Sequence, residues 1–435
     1  MKPFSLHRIV LPLLLLLVAV ISTNLAWLNP TPGEPPSMRP LPRIPFMWQY
    51  DNSDAPNNFQ AAARFPEYFR QSPARVERPA TLLVVNLIAE TYHTLASPFY
   101  AFSPFPTINL KGEKSYAYAH VLTMGEGLQV VTTLLGYLTL KLLLFGMGMV
   151  AAFQLFSRYV ERTTALAGVW ILFFHPFSLY SFSLFPVMDL EFITPIYIAW
   201  FLMRITDLEQ LGRPATKTVL GYSVLVGILM LAKPNYAAYV AALGFGFFHG
   251  RFRWVFLSAG VHLLPLLLWL GYIDLIDIPY FSKAVTTHGQ GVWMVQLLNN
   301  PDTAKGLLLI WANIKYFMGH MAQFHSLWQF AAMAGLLILL HKKQNRTIYF
   351  LLLFHITLVL QALFANRYFP YMSADFWFVT VGLAMLAWQW VTPKLPNQMV
   401  KPTLAMITLA WSVHSIMSWY HTPWVHPLQQ AGLGG

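Results

Sequence analysis

Residues 126–156 read EGLQVVTTLLGYLTLKLLLFGMGMVAAFQLF, a run whose charged side chains are Glu126 at its start and Lys141 in its middle. About 20 apolar residues, rising about 1.5 Å each, cross the hydrocarbon core of a bilayer as a helix. This run is longer than that and breaks nowhere with proline. Lys141 must then face protein or extend its amine to the interface, because a bare charge in hydrocarbon costs roughly 3 kcal/mol on insertion scales.

The pattern recurs on both sides. Apolar runs lie at residues 9–28, 165–185, 190–203, 218–231, 235–248, 254–273, 324–340, 348–365, 371–390 and 403–419. With 126–156 they amount to about eleven spans. Hydrophobic residues make up 56% of the chain, aromatic residues 16% and charged residues 10%, a balance no ordinary soluble domain needs. The expected fold is an all-α polytopic membrane protein of about eleven transmembrane helices, one membrane domain over residues 1–435, without a fixed repeat or a separable soluble domain.

A net charge of +11 in a soluble chain would point to nucleic acid. Here the basic residues fall in short clusters between apolar runs, which is the signature of topology, and no nucleic-acid partner is expected. With the amino terminus in the cytoplasm, the inner loops receive Arg158 and Arg162, then Arg204, Arg213 and Lys217, then Arg251 and Arg253. Later inner loops receive Lys342, Lys343 and Arg346, then Lys394 and Lys401. The run at 9–28, which follows Lys2 and Arg8, fits a retained anchor or a long signal peptide. The proline-rich stretch after it favours retention.

Cysteine is absent, which excludes thiolate nucleophiles, disulfides and cysteine metal sites. The pairs His320 with His325 and His421 with His426 are five apart, off a common helical face, so no metal site is expected from them. His175, before Pro176, reads as a hydrogen-bonded core histidine. Two long segments, 29–124 and 274–322, fall on the outer side. The first carries stretches of helical pattern at 59–69 and 79–96, suited to lying along the interface. The second holds Lys283 and His288 among glycine and asparagine, as a lid or binding loop does.

Within the first outer segment, residues 50–79 read YDNSDAPNNFQAAARFPEYFRQSPARVERP, a polar island in an apolar chain. Asp51 and Asp54 are candidate general bases. Asp54 before Pro56 is equally a helix start signal, and both readings stand on spacing alone. Arg75 and Arg78 have the forked donors that neutralise a phosphate. Arg39, Arg43, Arg64 and Arg70 fit contact with lipid headgroups better.

Two further cations sit in outer turns: Lys233 in LAKPN and Arg367 in NRYFP, beside Tyr368. Each fits a donor phosphate or a snorkelling anchor in an aromatic belt. Asp189, Glu191 and Glu126 stand where a helix amino terminus favours an acid.

The order of these pieces resembles the GT-C class of integral-membrane glycosyltransferases, which draw a sugar from a polyprenyl phosphate. Asp54-Ala55-Pro56, then Phe59 and Ala61-Ala62-Ala63-Arg64, is similar to the acidic signature of the class on its first outer loop. Arg75-Val76-Glu77-Arg78-Pro79 resembles the arginine and proline sequence that follows it. GILMLAKPN at 227–235 and Asn366-Arg367-Tyr368 resemble later turns bearing a lysine and an arginine-tyrosine pair. The spacing of Asp51 and Asp54, and Phe59 in place of a tyrosine, depart from the class pattern.

The resemblance implies a catalytic Asp54, with Asp51 as its substitute, and phosphate contacts from Arg78, Arg367 and Lys233; Arg75, Tyr368 and His288 are further candidate substrate contacts. It implies a polyprenyl-phosphate-linked sugar as donor, with a lipid, glycan or protein as acceptor. Membrane lipids surround the protein, in a bacterial inner membrane with the site on the periplasmic side. No cofactor is required by the residues, and a divalent cation is compatible with the acids. Two other expectations fit a many-span chain: a surface-polysaccharide polymerase or ligase working from residues 274–322, and a transporter or lipid flippase.

Overall fold

The computed structural model describes residues 49–50, 61–71, 76, 78–100, 127–174, 184–185, 216–232, 252–280 and 391–421, with single positions within 193–211, 308–315 and 378–389. Among them the protein is mostly helical. In chain order come β1 (Gln49–Tyr50), α1 (Tyr68–Gln71), α2 (Pro79–Tyr100), α3 (Gly127–Phe156), α4 (Arg162–Phe173), β2 (Leu184–Phe185), α5 (Thr216–Ala232), α6 (Phe252–Leu275) and α7 (Asn397–His421). The chain packs as two compact units. One comprises Met1–Tyr68, Thr81–Ile193 and Ala384–Gly435, and the other comprises Phe69–Ala80 and Thr194–Leu383.

In the first unit α3 and α4 form an antiparallel hairpin. The α3 ladder runs out at Phe156, where the amides of Tyr159 and Val160 both reach the Phe156 carbonyl, at 2.9 and 3.0 Å. Glu161 is extended (φ −58°, ψ 151°) and α4 starts at the next residue. Phe145 and Phe173 then meet edge to face at 5.8 Å. Arg158 and Arg162 thus sit at the hairpin turn, where the charge alternation puts them.

The expected span at 165–185 differs from the structure. Its helix ends at Phe173, and Leu184–Phe185 is extended, pairing in parallel with Gln49–Tyr50. Pro176 supplies the physical reason: it has no amide hydrogen and disfavours helical backbone at the residue before it. α7 packs on α4 through two indole donors. Trp170 Nε1 reaches Ser412 Oγ at 2.6 Å, and Trp411 Nε1 reaches the Ile171 carbonyl at 3.1 Å.

The helical pattern at 59–69 is interrupted by a turn over residues 64–67, around Pro66, whereas 79–96 is helical as expected and continues to Tyr100. Ala61 and Ala62 are fully buried. Asn86 Nδ2 donates to the Ala62 carbonyl at 3.0 Å and Gln129 Nε2 to the Ala63 carbonyl at 3.1 Å. α2 runs beside the first turns of α3, where a Cβ on Gly136 would stand 2.9 Å from the Val85 carbonyl oxygen. The Ala-Ala-Ala stretch is therefore the short helical piece that α2 and α3 clamp by its carbonyls.

In the second unit α5 and α6 lie side by side in the same direction. Ser223 and Ser258 share a hydroxyl hydrogen bond at 2.6 Å. One turn further along both helices, Gly227 faces the His262 carbonyl and the Pro265 ring. Residues 233–251, which include the span expected at 235–248, lie outside the described residues.

Among the described residues two helical stretches are long and apolar enough to cross a membrane, Leu135–Phe156 (22 residues) and Phe256–Leu275 (20 residues), each with a mean hydropathy of 1.7. Their polarity is inverted relative to a soluble helix. On α6 the outward side chains include Phe256, Leu263, Leu267, Leu268 and Leu275, while Ser258 and His262 are buried. On α3, Leu143 and Met147 are exposed and Lys141 is buried at 5% exposure, so Lys141 faces protein. Outward leucine with inward serine, histidine and lysine suits lipid outside and polar partners within.

His262 is 1% exposed, and among the described residues neither ring nitrogen has a hydrogen-bond partner. An unsatisfied buried polar group costs about 1–3 kcal/mol. His262→Leu, similar in volume, is expected to raise stability by about 1 kcal/mol, read as a higher melting temperature of the detergent-solubilised protein.

Candidate functional site

Asp51, Asp54, Arg75, Lys233, His288, Arg367 and Tyr368 lie outside the described residues, as do His175, Asp189, Glu191 and Glu126. Arg78 is described. It is half-buried, immediately before the first residue of α2, and its Nε is buried. β1 ends at Tyr50, the residue before Asp51 in the sequence, and is fixed there by its ladder to Phe185.

Phe69, Arg70 and Val76, in the second half of the polar island, are anchored on the later turns of α6 and the residue after it. Phe69, buried at 1% exposure, meets Trp269 edge to face with ring centres 5.9 Å apart. Trp269 Nε1 donates to the Val76 carbonyl at 2.7 Å. Arg70 Nη2 donates to the Ile276 carbonyl at 3.1 Å. A buried indole N–H usually finds an acceptor, and this one takes the main-chain oxygen of Val76.

The end of α6 is built to receive that strap. Asp277 has φ 55°, the left-handed conformation that stops a helix. The Ile278 amide reaches the Ile273 carbonyl at 2.8 Å and the Asp277 amide the Asp274 carbonyl at 3.1 Å. This is the paired bonding of a Schellman stop. Ile276 offers its carbonyl at the same terminus, where a cation is favoured by the helix dipole. Arg70, read from sequence as a headgroup contact, is here a cap on α6.

Arg78 is consequently carried on a segment whose backbone is pinned two residues earlier, at Val76. A guanidinium there can bind a phosphate oxygen pair in forked geometry. The sequence contained one usable signal for this arrangement, Trp269 inside an apolar helix, whose N–H lipid cannot satisfy. Among the described residues no group of three or more His, Cys, Asp or Glu side chains could hold a metal ion. Comparison of the chain with protein-family models, with curated proteins and with solved structures finds no match.

Proposed function

We propose that this protein is an inverting glycosyltransferase similar to the GT-C class, with about eleven membrane spans and its amino terminus in the cytoplasm. It moves a monosaccharide from a polyprenyl phosphate to an acceptor at the outer face of a bacterial-type inner membrane. The acceptor oxygen bonds to the anomeric carbon as the bond from that carbon to the phosphate oxygen breaks. The electron pair leaves on the phosphate, and the acceptor proton passes to a first-loop carboxylate, Asp54 or its neighbour Asp51. Arg78, with Arg75, offsets the charge that develops on the departing phosphate.

The observation that supports this reading most is the seat of residues 69–80. The arginine half of the island is held at one terminus of an apolar helix of membrane-crossing length, where an isoprenoid tail and a charged head would part company. The test is transfer by the purified protein in lipid nanodiscs, with a panel of polyprenyl-phosphate sugars and envelope extract as acceptor. Acceptor-dependent release of polyprenyl phosphate is expected for one member. Release from none of them, with labelled lipid or sugar instead crossing sealed vesicles unmodified, would replace the enzyme by a transporter.

A further inference from the structure

Val76 stands between Arg75 and Arg78 in sequence, is fully buried, and its carbonyl receives the Trp269 indole at 2.7 Å. The Phe69 ring and the Arg70 guanidinium hold the start of the same segment, on Trp269 and on the Ile276 carbonyl. Ring packing alone would leave the segment free to slide along the helix, because an edge-to-face contact tolerates several offsets. A hydrogen bond to one carbonyl does not, since its geometry fails within a few tenths of an ångström and a few tens of degrees. The Trp269 bond therefore sets the register of the strap on α6, through an uncharged donor.

We propose that Trp269 is a positioning residue for anion recognition, fixing the Val76 backbone so that the Arg78 guanidinium meets the phosphate of a prenyl phosphate. This rests on the reading of Arg78 as a phosphate contact. Register matters there because a forked pair of bonds to phosphate loses one of its two arms when the guanidinium is displaced by about an ångström. Lost register weakens recognition of the charged head and leaves recognition of the apolar tail as it was.

The experiment compares farnesyl phosphate with farnesol as probes, by titration calorimetry on the full chain in phosphatidylcholine nanodiscs. The wild-type protein prefers the phosphate, and Arg78→Ala loses that preference. Trp269→Phe keeps a ring against Phe69 but has no N–H. It is expected to lower the preference about tenfold, with farnesol affinity unchanged and the melting temperature lowered by the loss of that buried bond. A wild-type preference in Trp269→Phe, beside its loss in Arg78→Ala, overturns the positioning role and leaves the Arg78 reading standing.

A preference surviving in Arg78→Ala overturns both. Equal weakening of the two probes by Trp269→Phe makes Trp269 a packing residue only. Arg70→Ala removes an exposed clip on the same strap without touching the core, and should lower the preference about threefold. If Trp269→Phe does not fold and Arg70→Ala keeps the full preference, the inference is overturned as well.

Discussion

Gly227→Ala is expected to destabilise the protein by about 1–3 kcal/mol, and Gly227→Leu to leave no monodisperse material in detergent. A Cβ at this position would collide with the His262 carbonyl oxygen and stand 3.0 Å from both Cγ and Cδ of Pro265. Neither neighbour can step aside. The oxygen belongs to helical backbone, and the proline ring is locked to its own. The glycine exists to let two helices approach until Ser223 and Ser258 touch one turn away, the close approach that small residues allow between membrane helices. Gly221, on the same helix, is the internal control, because nothing lies within 4 Å of a Cβ built there. Gly221→Ala should be neutral or gain up to about 1 kcal/mol of helix propensity. Equal melting temperatures for Gly227→Ala and Gly221→Ala would show that α5 and α6 do not meet as described.

Helices such as α5 and α6 were legible because the apolar runs at 218–231 and 254–273, at their centres, have few other solutions. The span expected at 165–185 was not. An apolar count passes over Pro176, which lacks an amide hydrogen and stands three residues beyond the end of α4 at Phe173. Lys141 was legible as a residue that must face protein or snorkel, and its burial selects protein. Which partner it faces depends on packing that no local pattern encodes.

The strap on α6 could not have been read in advance, for a chemical reason. Val76 and Ile276 act through main-chain carbonyls, and every residue has one, so the sequence holds no mark of which carbonyl is used. Trp269 and the Val76 carbonyl that accepts its bond are 193 positions apart, and Arg70 and the Ile276 carbonyl are 206 apart. What the sequence did display was the demand side: an indole N–H in an apolar helix, and arginines in a chain poor in charge. Alanines 61–63 illustrate the converse. Their place in a signature-like string suggested chemistry, yet what the structure reveals is clamping, by Asn86 and Gln129, of a helical piece whose Ala61 and Ala62 are fully buried.

Asp54→Asn should lower turnover by about 100- to 10,000-fold, the range that a positioned general base contributes, while prenyl-phosphate binding and stability stay at wild-type values. The choice of asparagine separates the two readings of this acid. Asparagine caps a helix amino terminus as well as aspartate does, so a residue that only starts a helix tolerates the exchange. A base does not, because the amide cannot take the acceptor proton. Asp54→Ala removes both capacities and is expected to cost about 1 kcal/mol of stability besides the loss of rate. Asp51→Asn is the parallel arm: β1 ends one residue before it, and the resemblance assigns it the same role only as a substitute. It should lower turnover less than Asp54→Asn. If Asp51→Asn is the dead enzyme and Asp54→Asn the active one, the base is Asp51 and Asp54 is a cap. If both variants turn over normally in nanodiscs with their true donor, the first-loop acids are not the base, and the weight moves to residues 274–322 around His288.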